Sequence, residues 1–352
     1  MTFPNTAQPT FLTPERGEWM EALQKAPHDL FHLPGYLKVS AGHEGGTPVA
    51  VHLEAEGCGM LMPILLRPLD DFGPEFAGCF DAASPYGYPS PLFWGEGHEA
   101  LIPGMLEACW TFLRQQRVVS LFLRLNPFLE AGLEALASQS DLRAHGPTVY
   151  LDLTNPEASW MGINSANRGF ITRTYKHGHH VILDDWMTYD AVIEAYYETM
   201  TRLEASPFYF FPKSYFHGLK EATAPHLHLA TALSPTGEIT GGVLFSEVGG
   251  LIQYFLTGSF DAFREVSPAK ILIDTLRTWG IQHGHHTVNL GGGVGANQDG
   301  LFTFKSRFSK HHKTFQTLRK VLLPEIYASL TASRGLQPDP EEAFFPAYRK
   351  PS

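Results

Sequence analysis

The sequence predicts a mixed α/β protein that is built from two copies of one domain in tandem. A chain of 352 residues is longer than one hydrophobic core usually supports, and with 43% hydrophobic residues it can fill two cores. One order of elements also occurs twice: a hairpin or meander, a helix that carries a tryptophan, and a buried strand. The predicted ranges are 47–69, 99–117 and 119–125 in the first copy, and 226–258, 267–283 and 287–290 in the second.

The break between the copies is predicted near His145-Gly146-Pro147. This gives an N-terminal domain at 1–147 and a C-terminal domain at 148–352. The second domain is expected to begin with a helical insertion at about residues 154–205, because a capping box with an early proline starts at Thr154.

A rigid loop at 80–91 follows the first hairpin and is rich in turn-forming residues. It carries Tyr86 and Tyr88, and loops of this composition often carry function. The alternative is a structural crossover whose tyrosines stack on the surface. Both interpretations stay open at this point.

The helix predicted at 165–178 is basic on one face. Arg168 and Lys176 lie on that face with Arg173 beside them, so their cations can converge within about 12 Å, the rise of two turns. Convergent arginine and lysine side chains suit a phosphate or pyrophosphate group. The alternative is a basic face that only contacts solvent.

The most unusual stretch is 267–309. Ser267-Pro268 opens a helix, and four glycines occur in five residues directly after the strand at 287–290. They do not form a P-loop, because no Gly-Lys-Ser/Thr follows. Lys305 lies between Phe304 and Phe308, where a partly desolvated ammonium can meet an anion or a developing oxyanion. The alternative is that the lysine extends past an aromatic strand or helix end to solvent.

Composition and charge argue against several classes of protein. The formal net charge of −10 argues against a general nucleic-acid coat, and we expect no DNA partner. Cys58, Cys79 and Cys109 have no paired or metal-type spacing, which fits a reducing compartment. The longest apolar run, 60–66, is too short to span a bilayer and no signal peptide precedes it. We therefore expect a cytoplasmic protein without a membrane span.

The chain has 17 histidines, which raises the question of a metal site. His-Gly-His-His occurs twice, at His177 to His180 and at His283 to His286, each time where a helix is predicted to end. The glycine suits a left-handed cap, and histidines suit a helix C-terminus. Neither motif has the partner spacing of a zinc site, so no metal is expected. A serine hydrolase is also unsupported, because no Gly-x-Ser-x-Gly elbow is present.

Taken together, several blocks of the sequence resemble the FemAB-type acyltransferases. The resemblance covers nearly the whole chain, and the last two blocks are the most specific. These blocks are 81–88, 168–178, 197–205, 289–293 and 301–309.

The resemblance implies two tandem GNAT-like domains, each a splayed central mixed sheet flanked by helices. It also implies transfer of an acyl group from an activated ester or thioester to an amine. In one branch the donor is aminoacyl-tRNA and the acceptor is an amine of a peptidoglycan precursor, whereas other branches resemble users of acyl-CoA. No cofactor is expected to be tightly bound. The expected partners are a peptidoglycan precursor or another amine substrate and a tRNA, with the protein a monomer or homodimer.

The family position of the Phe-Lys pair falls on Lys305, which the resemblance makes an electrostatic partner of the donor or the tetrahedral intermediate. One departure concerns the donor. GNAT enzymes usually grip coenzyme A with backbone N–H groups of a glycine-containing loop, but here the aligned loop runs from Arg264 through Ser267 and Pro268. Serine replaces the glycine, and the proline removes one N–H donor, which favours a different acyl donor or a much altered site.

The remaining site predictions follow from the expected position of the splayed strands, 239–245 and 251–257. Tyr254 is expected near the reaction centre, and Asp81 is a candidate base or amine-orienting acid. The predicted substrate- and donor-binding residues are Arg168, Arg173, Lys176, Tyr86, Tyr88, Arg264, Ser267, Gly292 and Arg307.

Aminoacyl transfer to a peptidoglycan precursor is the leading hypothesis for function. The first alternative is acyl-CoA-dependent N-acylation of a small amine or sugar amine. An alternative of another class is a catalytically silent GNAT-like protein whose basic helix holds a phosphorylated ligand.

Overall fold

The computed structural model describes residues 8–337 and 344–351, and the chain forms two compact units. The first unit contains the residues up to His145 and those from Phe315 onwards, and the second contains Gly146–Thr314. Helices and sheets are present in both, so the mixed α/β class is confirmed.

The first unit contains a mainly antiparallel sheet with one parallel pair. Its strands follow the order β1-β2-β3-β4-β6, in which β4 and β6 are parallel, and β5 pairs with β3. The elements up to residue 139 are β1 (Thr10–Leu12), α1 (Gly17–Lys25), α2 (Pro34–Glu44), β2 (Thr47–Ala55), β3 (Cys58–Pro68), β4 (Phe80–Ala83), β5 (Leu92–Trp94), α3 (Ile102–Gln115), β6 (Val118–Leu125) and α4 (Leu133–Gln139).

The core of the first unit lies between this sheet and α3. The predicted apolar stripe of that helix is confirmed, since each of its members is buried. These members are Ile102, Met105, Leu106, Cys109 and Leu113.

The second unit repeats the plan with its strands in the order β7-β12-β11-β10-β9-β8. Only β11 and β12 are parallel in this sheet; each other pair is antiparallel. The elements are β7 (Asp141–Asp152), α5 (Pro156–Gly162), α6 (Ser165–Lys176), β8 (His180–Leu183), α7 (Tyr189–Arg202), α8 (Lys213–Thr223), β9 (Leu227–Leu233), β10 (Ile239–Val248), β11 (Leu251–Ser259), α9 (Pro268–Gln282), β12 (Thr287–Gly291) and α10 (Gly300–Lys305).

The C-terminal part of the chain differs from the prediction. We predicted that the second domain extends to residue 352, but the chain from Phe315 onwards belongs to the first unit. The reason is β13 (His311–Val321), whose residues from Gln316 pair antiparallel with β6. The last helix, α11 (Pro324–Ser333), contributes Leu330 to a small core of the first unit.

The helix and strand that lead into the glycine-rich stretch form as predicted. Pro268 occupies the first turn of α9, where its missing N–H costs no hydrogen bond. The helix ends before Gly284, which has the left-handed φ of +77° expected of a C-terminal cap. The following strand, β12, buries Val288 and Leu290 in the core of the second unit. Within the described residues, no helix combines the length and the apolarity that a membrane crossing requires.

Candidate active site

The candidate site begins where the parallel strands β11 and β12 stop pairing. They pair only from Leu251↔Thr287 to Gln253↔Asn289, although both strands continue beyond this point. At the last pair the buried Asn289 Nδ2 donates to Gln253 Oε1 over 2.8 Å, and Asn289 Oδ1 accepts from the N–H of Gly291 over 2.9 Å. This amide pair marks the opening of the sheet and sets the direction of the chain after β12.

The position of the opening corrects the sequence analysis. We predicted that residues 239–245 and 251–257 are the splayed strands, but β10 and β11 pair along their length, from Gly241↔Ser259 to Val248↔Leu251. The misassignment arose because a meander pattern identifies strands without telling which neighbours separate.

Tyr254 lies on β11, immediately after the last residue that pairs with β12. The register against β10 shifts here from Leu244↔Leu256 to Phe245↔Tyr254, so β11 contains one extra residue. The Tyr254 hydroxyl donates to Thr257 Oγ1 over 2.9 Å. Burial raises the pKa of Tyr254 to about 12, against the opposing effect of the Thr257 hydrogen bond. The phenol is therefore protonated at neutral pH and is not suited to act as a base, and its single proton is donated to Thr257.

The glycine run after β12 forms a tight turn around Asp299. A Cβ atom on Gly293 would lie 2.1 Å from Asn297 O and 2.3 Å from Asp299 Oδ1, so only glycine fits this close approach. Asp299 Oδ2 accepts from Val294 N, and Oδ1 caps α10 by accepting from Phe302 N, each over 2.9 Å. Burial opposes ionisation of Asp299, but these backbone hydrogen bonds outweigh it and lower its pKa.

Lys305 is the last residue of α10 and reaches back to the glycine run. Its Nζ donates to Gly292 O over 2.7 Å, which joins the two most specific blocks of the family resemblance. Burial lowers the pKa of Lys305 to about 8, while the charge of Asp299 opposes this shift. Phe304 and Phe308 pack edge to face beside it with centroids 5.3 Å apart. The site therefore holds a half-buried lysine whose charged and neutral forms are both populated at about pH 8.

A second cation, which the sequence analysis missed, lies at the first turn of α9. The Nζ of Lys270 is 3.8 Å from the centroid of the Phe170 ring on α6. Burial lowers the pKa of Lys270, and the guanidinium of Arg307 lowers it further. No carboxylate of the described chain forms an ion pair with Lys270 or Arg307 within 4.0 Å. Lys270 lies two residues after Pro268, just beyond the loop compared with coenzyme A loops, and this position was the available signal.

Two other predicted residues of that stretch lie just before α9. Ser267 has the left-handed φ of +47° and makes no side-chain cap hydrogen bond. Its N–H donates to Arg264 O over 3.1 Å, while the Arg264 side chain is exposed. Ser267 thus has a left-handed conformation, which a glycine would adopt at lower cost in strain.

The predicted basic face of α6 divides into two parts. Arg168 donates from Nη1 to Met161 O over 2.9 Å and also to Ile163 O, so it caps the end of α5. Arg173 and Lys176 are exposed, so their charges are available to a ligand. The role of Arg168 in the described contacts is structural.

Asp81, Tyr86 and Tyr88 all lie in the first unit. Asp81 is fully buried, and its carboxylate accepts from Arg67 Nε over 2.7 Å and from Arg349 Nε over 2.5 Å. Both oxygens are thus held by cations, an arrangement that suits an ion pair and not a base. Tyr86 accepts at its carbonyl from the Tyr36 hydroxyl over 2.7 Å, so its backbone braces the loop.

Tyr88 contributes to an aromatic cluster of the first unit. Its ring packs edge to face on Phe31 and on Phe315, at centroid distances of 5.6 and 5.5 Å. For both loop tyrosines the described contacts match the structural interpretation. Among the described residues, no three histidine, cysteine, aspartate or glutamate side chains are grouped so that they could hold a metal ion.

Comparison with known proteins bears on the fold. No protein-family model matches the chain, and no curated protein matches it by sequence. The crystal structure of FemX does match, with a TM-score of 0.70 and 13% identity over 91% of this chain and 98% of that chain. The chain has the fold of FemX.

Two further structures share the fold at lower similarity. L-PGS from Bacillus licheniformis has a TM-score of 0.54 and 13% identity over 87% of this chain and 91% of that chain. The C-terminal domain of a putative lysylphosphatidylglycerol synthetase from Agrobacterium fabrum has a TM-score of 0.51 and 14% identity over 83% and 91%. The predicted FemAB-type fold is confirmed, and at these identities the likeness is one of fold.

Proposed function

We propose that the protein is an N-acyltransferase whose chemistry takes place in the second unit, where β11 and β12 separate. The observation that carries this proposal is the ammonium of Lys305, held by the Gly292 carbonyl at the opening of the sheet. The leading donor is aminoacyl-tRNA and the leading acceptor is an amine of a peptidoglycan precursor, as the FemAB resemblance implies. The FemX fold supports this reading.

The role proposed for Lys305 is electrostatic. Attack of the acceptor amine on the donor carbonyl carbon places negative charge on the carbonyl oxygen. The carbonyl then re-forms, the carbon–oxygen ester bond breaks, and the proton lost by the amine ends on the leaving hydroxyl oxygen of the donor. An ammonium has three N–H donors, and Lys305 uses one of them on Gly292 O. The other two are left for the developing oxyanion in a partly desolvated setting, where such a contact stabilises most.

The pKa of Lys305 also suits it to a second role, proton transfer. At a value of about 8, both the charged and the neutral form are populated near neutral pH. A group with such a pKa also exchanges protons efficiently at that pH. Tyr254, whose pKa burial raises to about 12, is proposed to orient the donor or the acceptor through its hydroxyl oxygen, which can accept a hydrogen bond while its proton is donated to Thr257.

The donor is proposed to carry phosphate groups next to the site. Lys270 and Arg307 hold like charges close together without a carboxylate partner in the described chain, and an anionic ligand would relieve their repulsion. Arg173 and Lys176 extend the charge on α6. Ser267 and Pro268 do not favour the backbone grip typical of coenzyme A. This difference favours tRNA over acyl-CoA as the donor.

The proposal is tested by measuring the intact mass of a UDP-linked muropeptide precursor after incubation with the protein and a pool of charged tRNA. The expected result is an added amino-acid residue that disappears when the tRNA is first treated with RNase. A parallel reaction with acyl-CoA and small amines tests the alternative donor.

Matched variants connect the activity to the site. Lys305→Ala is expected to slow the appearance of the added mass by about 100-fold or more. Lys310→Ala, which changes an exposed lysine five residues further on, is expected to retain the wild-type rate. If folded wild-type protein transfers nothing from either donor, the transferase proposal is wrong and a binding function remains. Full activity of Lys305→Ala would remove this lysine from the site.

A further inference from the structure

A buried amide pair lies at the opening of the sheet, and the proposed chemistry does not use it. Asn289 on β12 and Gln253 on β11 are 1% and 3% exposed, and Asn289 Nδ2 donates to Gln253 Oε1 over 2.8 Å. Burial of polar side chains costs free energy unless they are hydrogen-bonded. Replacement of both partners by apolar side chains of similar shape is often nearly neutral for stability. The amide pair therefore points to a role beyond packing.

The second hydrogen bond of Asn289 shapes the chain after β12. Its Oδ1 accepts from the N–H of Gly291 over 2.9 Å, two residues further on, as in the turns that asparagine and aspartate form with their own backbone. Gly291 completes the turn with a left-handed φ of +74°, a conformation that favours glycine. The orientation of the amide is fixed, because a rotated Asn289 would place its NH2 group against the Gly291 N–H.

This turn coincides with a bulge in β12. Against β7 the register passes from Asn289↔Tyr150 to Gly291↔Val149, so β12 contains one extra residue, Leu290. A bulge bends its strand, interrupts the ladder and changes the direction of the residues that follow. The Asn289 side chain spans this bulge and holds its shape.

The residue after the bulge provides the acceptor for Lys305. Gly292 follows Gly291 directly, and its carbonyl oxygen accepts from Lys305 Nζ over 2.7 Å. Three hydrogen bonds thus connect β11 with the lysine in series: Gln253 to Asn289, Asn289 to Gly291, and Gly292 to Lys305. The place of the Gly292 carbonyl therefore depends on the direction that Asn289 gives to the chain.

We propose that Asn289 is a positioning residue for Lys305. Its side chain fixes the bulge so that the Gly292 carbonyl holds the lysine at the opening of the sheet, and Gln253 fixes the amide. This role rests on the proposed transferase function, in which Lys305 acts on the developing oxyanion. Asn289 then affects the rate through Lys305, without contact with either substrate. A misplacement of about 1 Å in an active site can lower a rate about 100-fold.

The kinetic test compares Asn289→Leu with Asn289→Asp. Leucine is similar in size but accepts no hydrogen bond, so kcat is expected to fall about 10-fold to 100-fold with little change in KM for the muropeptide precursor. Aspartate keeps an acceptor for the Gly291 N–H and is expected to restore most of the rate. A packing role predicts the opposite order, because a buried carboxylate costs more than an apolar side chain. Wild-type kcat in folded Asn289→Leu, or a slower Asn289→Asp, would overturn the proposal.

A second measurement does not depend on turnover. In a crystal structure of Asn289→Leu, Lys305 Nζ is expected to lie beyond hydrogen-bond distance of Gly292 O, whereas Asn289→Asp keeps this contact. An intact contact in Asn289→Leu would overturn the positioning role. Absence of transfer by the wild-type protein would instead contradict the proposed function, and the crystal structure would still test the contact.

Asn297→Ala is the matched control. Asn297 lies in the same loop and donates one side-chain hydrogen bond, from Nδ2 to Val294 O over 3.0 Å, but it is exposed and lies outside the series that reaches Lys305. This variant is expected to keep the wild-type kcat. An equal loss in Asn297→Ala would overturn the specific role of Asn289. If circular dichroism shows that Asn289→Leu does not fold, Asn289→Ala replaces it with the same expected loss, since alanine also lacks an acceptor.

Discussion

Each unit contains one pair of parallel strands, and the two pairs end differently. In the second unit the ladder between β11 and β12 stops at the amide pair of Asn289 and Gln253 and leaves an opening. In the first unit Ser84 continues the connection after β4. Its N–H donates to Phe122 O over 2.8 Å, and its Oγ accepts from Arg124 N over 2.9 Å. Hydrogen bonds thus close the first pair where the second opens.

A charged side chain lies next to each parallel pair, and only the one next to the closed pair is fully compensated. Asp81, next to the closed pair, is neutralised by Arg67 and Arg349. Lys305, next to the open pair, has only the Gly292 carbonyl as a hydrogen-bond partner in the described chain. A charge with full compensation stabilises a fold, whereas a charge with donors to spare can act on a ligand. The comparison supports the proposal that the chemistry takes place in the second unit, whereas the charged pair in the first unit contributes to stability.

The largest effect is expected from Asp81→Ala in the first unit. Removal of the carboxylate leaves the guanidinium groups of Arg67 and Arg349 without a counter-charge, each about a quarter exposed. We expect a loss of about 3 kcal/mol in the free energy of unfolding, measured by chemical denaturation. Activity per folded molecule should be unchanged. A stable variant that has lost activity would return Asp81 to the role of base.

Lys305→Ala is the corresponding change in the second unit, and it should show the reverse pattern. Loss of one preorganised donor to an oxyanion reduces kcat by about 100-fold to 1000-fold. The midpoint of thermal unfolding should shift little, because the side chain has one hydrogen bond to lose. An equal loss of activity in Lys310→Ala would contradict this assignment.

The pH dependence of the reaction tests whether the charged form of Lys305 acts in the second unit. Burial lowers the pKa of Lys305 to about 8, so the ammonium is present below this pH and is lost as the pH rises through it. If the charged form acts, kcat falls about tenfold for each pH unit above the pKa. Lys305→Arg keeps its charge at alkaline pH and should lose this decline, whatever its absolute rate. A flat alkaline profile of the wild type would exclude the charged lysine as the acting form.

The smallest effect is expected from Ser84→Ala, which removes the hydroxyl that closes the first pair. The N–H of Arg124 then loses its acceptor, and the free energy of unfolding should fall by about 1 kcal/mol. Transfer activity is expected to stay the same, because the change lies in the first unit. A large loss of activity without loss of stability would show that the closed pair also serves the reaction.

Much of this molecule follows from local patterns in the sequence. The order of elements, the cap at Gly284 and the apolar stripe of α3 were predicted from periodicity and turn chemistry, which act over a few residues. Lys305 was predicted because it stands in a distinctive aromatic frame after a glycine run. These features can be predicted from the sequence because residues that are near one another in the chain are also near one another in space.

Other features depend on contacts between distant residues. Asp81 forms an ion pair with Arg349, which is 268 positions away in the sequence. No local sequence pattern predicts such a pair. The separation of β11 from β12 was missed, because strand patterns do not state which neighbours stop pairing. Lys270 was missed because its partner Phe170 lies on another helix.

The two His-Gly-His-His motifs show most directly which features depend on local sequence and which depend on tertiary contacts. By itself the sequence determined that both motifs end a helix at glycine, since the need for a left-handed cap is local. Only the tertiary structure decided that His283 and His285 stack on Trp279 beside Glu247, while His177 is left exposed. The physical reason is that an imidazole's protonation depends on the charges and rings packed around it, and the fold brings these together from distant parts of the chain.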